Sequence, residues 1–229
     1  MSDPIPTDDL IALCRAHDYE RYVCSLFAPK AHRIALWSIL ALGYEWSRIP
    51  ATVQEEMIAL VKLKWWQEQC HNVADGSASH ASLPPLLVRL VPSLQRSPQL
   101  IHAMDAMLDA LATHSSDGAT LETVCDTMRA LYCMCAHTLE QSPSEEAYST
   151  LGYAYGIIAY IRSTRNHESI ATMLPILDTA CTAMIRPYDP FGKRLYRLNH
   201  LWQRRIHRAA RRSSYESMHL IPLLALRLL

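Results

Sequence analysis

Residues 26–49 read LFAPKAHRIALWSILALGYEWSRI, and this stretch decides the fold. Pro29 closes whatever precedes it, and residues 31–49 contain one glycine and no proline before Pro50. Ile34, Trp37, Ala41 and Tyr44 share one helical face, while Leu36, Leu40 and Gly43 share the neighbouring one. A helix that is apolar around most of its circumference has to be surrounded by other elements, so the spacing predicts a central helix over 31–49.

Working outward, the same period recurs with short breaks. One helix is expected over about 8–27, ended by Pro29. Thr52 and Glu55 have the spacing of a capping box, which opens a helix through Met57, Leu60, Val61, Leu63 and Lys64-Trp65-Trp66 to the break at Asp75-Gly76. GSASHASLPP at 76–85 is loop by composition, and Pro92 interrupts a short helix from Leu86 to Leu94. Ser97-Pro98 starts a helix to about Ala112, Ser115 to Gly118 forms a turn, and another helix runs to Leu139. Ser142-Pro143-Ser144-Glu145 supplies a cap, a first-turn proline and a capping-box acid for an apolar helix to about Ile161. Pro175, Pro187 and Pro190 punctuate the rest, and Lys193 to Arg212 reads as an amphipathic helix with Leu195, Leu198, Leu201 or Trp202 and Ile206 against a strongly cationic side. No repeat or second domain is visible, so residues 1–229 are expected to form one all-α domain.

Composition agrees. Six glycines in 229 residues are too few for a Rossmann sheet, a phosphate-binding loop or a hairpin-rich β fold, all of which need positive-φ turns. The seven cysteines lie inside apolar helical patterns, which fits a reducing compartment. MSDPIPTDDL at the start has neither the apolar core of a secretory signal nor the arginines of a transit peptide, so a cytoplasmic location is expected. The apolar segment 218–229 is shorter than a membrane span. Charges sum to zero, yet Arg186 to Arg212 carries eight Arg and one Lys against one Asp, leaving −8 elsewhere.

There is no GxSxG, HExxH or paired CxxC motif, so the chain lacks the equipment of a serine hydrolase, zincin or dithiol redox enzyme. Cys133 and His137 can share a helical face but have no third ligand, and they read first as core residues. Asp105 and Asp109 are four apart on a helix, the spacing that holds Mg²⁺ and through it a diphosphate, and equally the spacing of a solvated face. Gly152 and Gly156 permit close approach of a helix or a flat ligand. Arg204, Arg205, Arg208, Arg211 and Arg212 suit a solvated face, an anionic membrane or an acidic partner. Nucleic acid is not expected, because the whole chain is neutral and carries no reading motif.

Several segments together resemble the squalene/phytoene synthase family. Asp18-Tyr19-Glu20-Arg21 is similar to its DY-x-R motif, Pro29 to Arg33 to its P-x-x-x-R motif, and LVKLKWWQEQ to its tryptophan-rich segment, with Lys64 near the usual Arg. LGYAYGIIAYIRSTRNHESIATMLP resembles the second signature, ending in Leu174-Pro175. The resemblance implies an all-α isoprenoid synthase bundle, shortened after Pro175. Its substrate cavity would be lined by Tyr19, Arg21, Arg33, Tyr44, Glu45, Lys64, Trp65, Gly152, Gly156 and Arg162. Catalytic members join prenyl diphosphates using two Asp-rich motifs and Mg²⁺, because the departing diphosphate needs its charge neutralised. Here Ser47 and Arg48 stand at the first motif, and Ser163-Thr164-Arg165-Asn166-His167 at the second. Glu45 remains, with Arg48 spaced to pair with it.

LALGYEWSRI resembles a non-catalytic branch, the complex I assembly factors and their bacterial relatives. That resemblance implies a binding module with no cofactor, peripheral to the inner membrane. Its partner would be a membrane-complex subunit, an anionic membrane or an isoprenoid or other lipid, held by the cationic helix and the apolar segment 218–229. The alternative is an Mg²⁺-dependent prenyltransferase whose atypical ligands include Glu45, Asp105 and Asp109.

Overall fold

The computed structural model describes residues 3–78, 83–139, 144–163 and 167–212. Among them there are eleven helices and no strand: α1 (Thr7–His17), α2 (Tyr19–Ser25), α3 (Lys30–Thr52), α4 (Glu56–Ala74), α5 (Pro85–Val88), α6 (Val91–Arg96), α7 (Pro98–Asp117), α8 (Leu121–His137), α9 (Glu145–Ser163), α10 (His167–Ala183) and α11 (Pro190–Arg212). The all-α expectation holds. Segment 218–229 lies outside the described residues.

As its composition requires, α3 is the centre: Leu36 through Gly43, Trp46 and Ile49 are buried, and α1, α2, α4, α5, α7 and α8 pack around it. The row α4, α7, α8, α9 runs across it, and α10 and α11 lie on the far side of α9. From there α11 reaches back to α2, so the last helix closes onto one of the first. Asp178 on α10 ties these outer helices together, accepting from Gln203 Nε2 (2.8 Å) and facing His207 Nε2 (2.6 Å).

Several boundaries differ from expectation. The predicted 8–27 helix breaks at Asp18, whose φ of −142° and ψ of 50° leave the helical region; Asp18 is held there by Arg21. Pro50 sits inside the last turn of α3, with Ile49 before it helical against the usual preference, and the helix ends within two residues. Thr52 therefore ends α3, its Oγ1 donating to the Arg48 carbonyl, and no side chain caps α4. Helix α7 runs on to Asp117 and stops where Gly118 takes φ 82°. Helix α10 continues through Pro175. At the start of α9 the cap is Ser144, whose Oγ accepts from the Ala147 amide; Ser142 and Pro143 lie outside the described residues. Ser97 caps α7 as the sequence suggests, accepting from the Leu100 amide.

The α8/α9 pair is the tightest in the bundle because two glycines let their backbones meet. A Cβ on Gly152 would lie 2.6 Å from Met128 O and Arg129 Cα, and one on Gly156 would lie 2.5 Å from Cys125 Cα. The space above both glycines is therefore filled by α8, which is the close helix approach that their spacing permits and a correction to the place on a cavity wall that the family resemblance implies.

Candidate functional site

The chain brings its charged residues together at the junction of α2, α8, α9 and α11. Tyr19 to Ser25 is only two turns long, and it carries Glu20 and Arg21 inward because the break at Asp18 rotates it away from the line of α1. Arg21 Nε donates to both Asp18 oxygens at 2.7 and 2.8 Å, and its Nη1 reaches Met128 Sδ. The guanidinium lies 5.0 Å over the Tyr155 ring and 6.0 Å over Tyr132. Burial opposes that charge, but the Asp18 carboxylate, by charge and hydrogen bond, leads the groups that outweigh burial and raise the proton affinity of Arg21.

One residue away, Glu20 Oε2 accepts from Trp202 Nε1 (2.9 Å), Tyr155 Oη (3.2 Å) and Arg162 Nη1 (3.3 Å). Arg162 also lies 4.1 Å over the Trp202 ring, with Arg205 at 5.4 Å from the same ring. Two carboxylates thus meet two guanidinium groups in a charge-balanced interior. Burial first, then the Glu20 carboxylate, raises the Tyr155 hydroxyl well above its ordinary value, and burial does the same to Tyr132. Neither phenol can serve as a base near neutral pH. All seven thiols are buried and pushed up, Cys125 and Cys181 to about 12, so none is a ready nucleophile.

The ten residues expected to line one cavity are scattered over the bundle. Arg21 and Arg162 meet in the network just described, while Tyr19 packs half-buried against Tyr22. Glu45 and Trp65 lie on a cleft of about 410 Å³ between α3 and α4, lined also by Ile49, Val61, Lys62 and Trp66, whereas Tyr44 is not among its lining residues and carries the Arg48 guanidinium 5.6 Å over its ring. Tyr44 stacks on His17 at 3.9 Å. Glu45 and Arg48 form the ion pair that their spacing suggests, at 3.6 Å, and Ser47 Oγ donates to the Gly43 carbonyl. Lys64 points to solvent and bonds Gln67. Arg33 donates to the Ala28 carbonyl at the α2/α3 corner, and Gly152 and Gly156 face α8. The single-cavity expectation is corrected accordingly: helix packing separates positions that the motifs set close in sequence.

Asp105 and Asp109 also diverge. Both Asp105 oxygens face His71 Nε2 at 3.0 Å, tying α7 to α4, while Asp109 is exposed. Among the described residues no group of three or more His, Cys, Asp or Glu side chains is placed to hold a metal ion. Of the expected cationic surface, Arg204, Arg208 and Arg211 are exposed, Arg205 leans on Trp202, and the Arg212 side chain lies outside the described residues. The residues that sequence reasoning missed are Glu20, Tyr155 and Trp202. Glu20 stands inside DY-x-R, and an acid directly beside an arginine on an otherwise apolar, two-turn helix was the available signal.

The histidines give the fold a pH dependence of definite sign. Burial lowers the pKa of His137, which Glu145 at 3.5 Å only partly offsets, and burial lowers that of His114. The unfolded chain then binds more protons than the folded one below the ordinary value of 6.5. Their contribution is full above that value and is lost as pH falls through the lowered folded values. The urea midpoint should decline between about pH 7 and pH 5, and H114N/H137N should flatten the decline. An unchanged slope in that variant would refute the assignment.

The squalene/phytoene synthase family model matches residues 14–212. Among characterised proteins, the chain is similar to the NADH dehydrogenase (ubiquinone) complex I, assembly factor 6 of Bos taurus, 25% identical over 167 residues, and that of Homo sapiens, 24% identical over the same length. Each match takes in 69% of this chain and 49% of the relative, so the chain spans about half the length of the curated relatives it matches. No solved structure gives a significant match.

Proposed function

From the premise that the chain belongs to the squalene/phytoene synthase family, we propose that it is a non-catalytic member acting as an assembly factor for a membrane-bound respiratory complex. One observation carries this. Where the family resemblance expects the first pair of metal-binding aspartates, Ser47 is bonded to its own helix and Arg48 is paired with Glu45. The interior charges are likewise spent on one another: Asp18 on Arg21, Glu20 on Arg162, Tyr155 and Trp202. A diphosphate needs cations that are not already neutralised, and its departure needs metal ions to take up the charge. What the bundle offers a partner is surface: the cleft beside Trp65 and the cationic side of α11. Partner binding would place the protein at the inner membrane's inner face, without a cofactor.

Calorimetric titration with an unreactive thio analogue of farnesyl diphosphate tests the non-catalytic half. The expected result is no Mg²⁺-dependent heat. Tight Mg²⁺-dependent binding would overturn the proposal and restore the prenyltransferase alternative, with Glu45, Asp105 and Asp109 the first carboxylates to mutate. Deleting the gene in its host and resolving respiratory complexes on a native gel tests the assembly half, and fully assembled complex I would count against it.

A further inference from the structure

Helix α11 has two unlike sides. Leu195, Leu198, Trp202, Ile206 and Ala209 are buried against the bundle. On the opposite side Lys193, Arg197, Arg204, Arg208 and Arg211 fall within an arc of roughly 60° and extend over about 27 Å. All but the half-buried Lys193 are exposed. Beside the N-terminal half of this stripe, the turn between α2 and α3 exposes Leu26 (38%) and Phe27 (41%), and the Arg194 guanidinium sits 3.8 Å over the Phe27 ring. The cations crowd one another: after burial, repulsion from Arg197 lowers the proton affinity of Arg194, and Arg162 and Arg208 act likewise on Arg205. Asp178 on α10 is engaged by Gln203 and His207.

We propose that this face is a docking surface for an anionic phospholipid bilayer, with α11 lying along the headgroups and Leu26 and Phe27 entering the acyl boundary. A straight row of cations complements a surface of negative charge. Exposed aliphatic and aromatic side chains on its flank favour a lipid over a nucleic acid or an acidic protein, which would leave them in water. Two modest signals together are what peripheral binding requires, since no helix among the described residues is long and apolar enough to cross a membrane. The inference deepens the assembly-factor reading by naming the surface that would hold such a protein at the membrane.

The test is co-sedimentation of the full chain with vesicles of phosphatidylcholine alone and of phosphatidylcholine mixed equally with phosphatidylglycerol, at low and high salt. Binding is expected to the anionic vesicles and to weaken with salt. R204Q/R208Q/R211Q should weaken it by roughly 100-fold, at about 1 kcal/mol for each cation. L26S/F27S should weaken binding at both salt concentrations, while R15Q/R96Q, which removes two exposed charges from other helices, should leave it unchanged. If the triple variant misfolds, as a thermal melt would reveal, the salt dependence of the native chain and L26S/F27S still decide. Equal binding to neutral vesicles, no binding to anionic ones, or preference for an RNA or polyglutamate competitor overturns the inference. Loss of vesicle binding with complex I assembly intact would remove this inference alone; vesicle binding in a host that assembles complex I without the protein would remove the assembly reading alone.

Discussion

Glu20→Ala should lower the free energy of unfolding by about 3–5 kcal/mol, the usual consequence of removing one partner from a buried ion pair. The side chain is 11% exposed and accepts three hydrogen bonds through one oxygen. Alanine would strand the Trp202 indole N–H, which is fully buried, and would take the carboxylate from the Tyr155 hydroxyl and from Arg162. Arg162 is 24% exposed, so water recovers part of its loss, and the lower half of the range is the better expectation. Glu20→Gln keeps the shape and an acceptor but not the charge, and should lie between the native protein and Glu20→Ala. Urea unfolding followed by tryptophan fluorescence reads this directly. A change below about 1 kcal/mol for Glu20→Ala would mean that the network does not hold α2 to α11.

G152A/G156A should be nearly as damaging, for the opposite reason. Alanine is favoured over glycine in a helix by about 1 kcal/mol, which argues for stabilisation. Here the new methyl groups would stand 2.5–2.6 Å from backbone atoms of α8, against an ordinary contact near 3.5–4.0 Å. Backbone cannot rotate aside, so α8 and α9 have to separate by about 1 Å along their whole contact. Overpacking of this kind reaches about 3 kcal/mol at each site, which outweighs the propensity gain of about 1 kcal/mol there. Gly43→Ala makes the contrast: its methyl would meet Leu131 Cδ1 at 2.7 Å, the far end of a flexible side chain, and should be tolerated far better. A thermal melt of G152A/G156A at or above the native midpoint would sink the account.

Much of the architecture is visible in the residue pattern because it rests on local physics. The burial of 36–43 follows from helical period, the cap at Ser97 from a hydroxyl before a proline, and the Glu45–Arg48 pair from i, i+3 spacing. The misses are places where a distant residue decides. Nothing near Asp18 signals a break, which depends on Arg21 being pinned between Asp18 and two tyrosines brought from α8 and α9. Thr52 and Glu55 had the letters of a capping box, but α3 ran on and used Thr52 for itself. Glu20 was hidden because its three partners come from positions 155, 162 and 202. Motif spacing places residues along the chain, and only packing tells which of them share a space.

The bond from Trp202 to Glu20 joins residues 182 positions apart. During synthesis α2 emerges 182 residues ahead of the indole that answers its carboxylate. Until then the early helices carry an acid bound for the interior with its principal donor not yet present. Contacts this distant slow folding and prolong the exposure of apolar surface. The bundle therefore matures as one unit upon arrival of α11, and a fragment stopping short of residue 202 would be an unfinished protein rather than a smaller one.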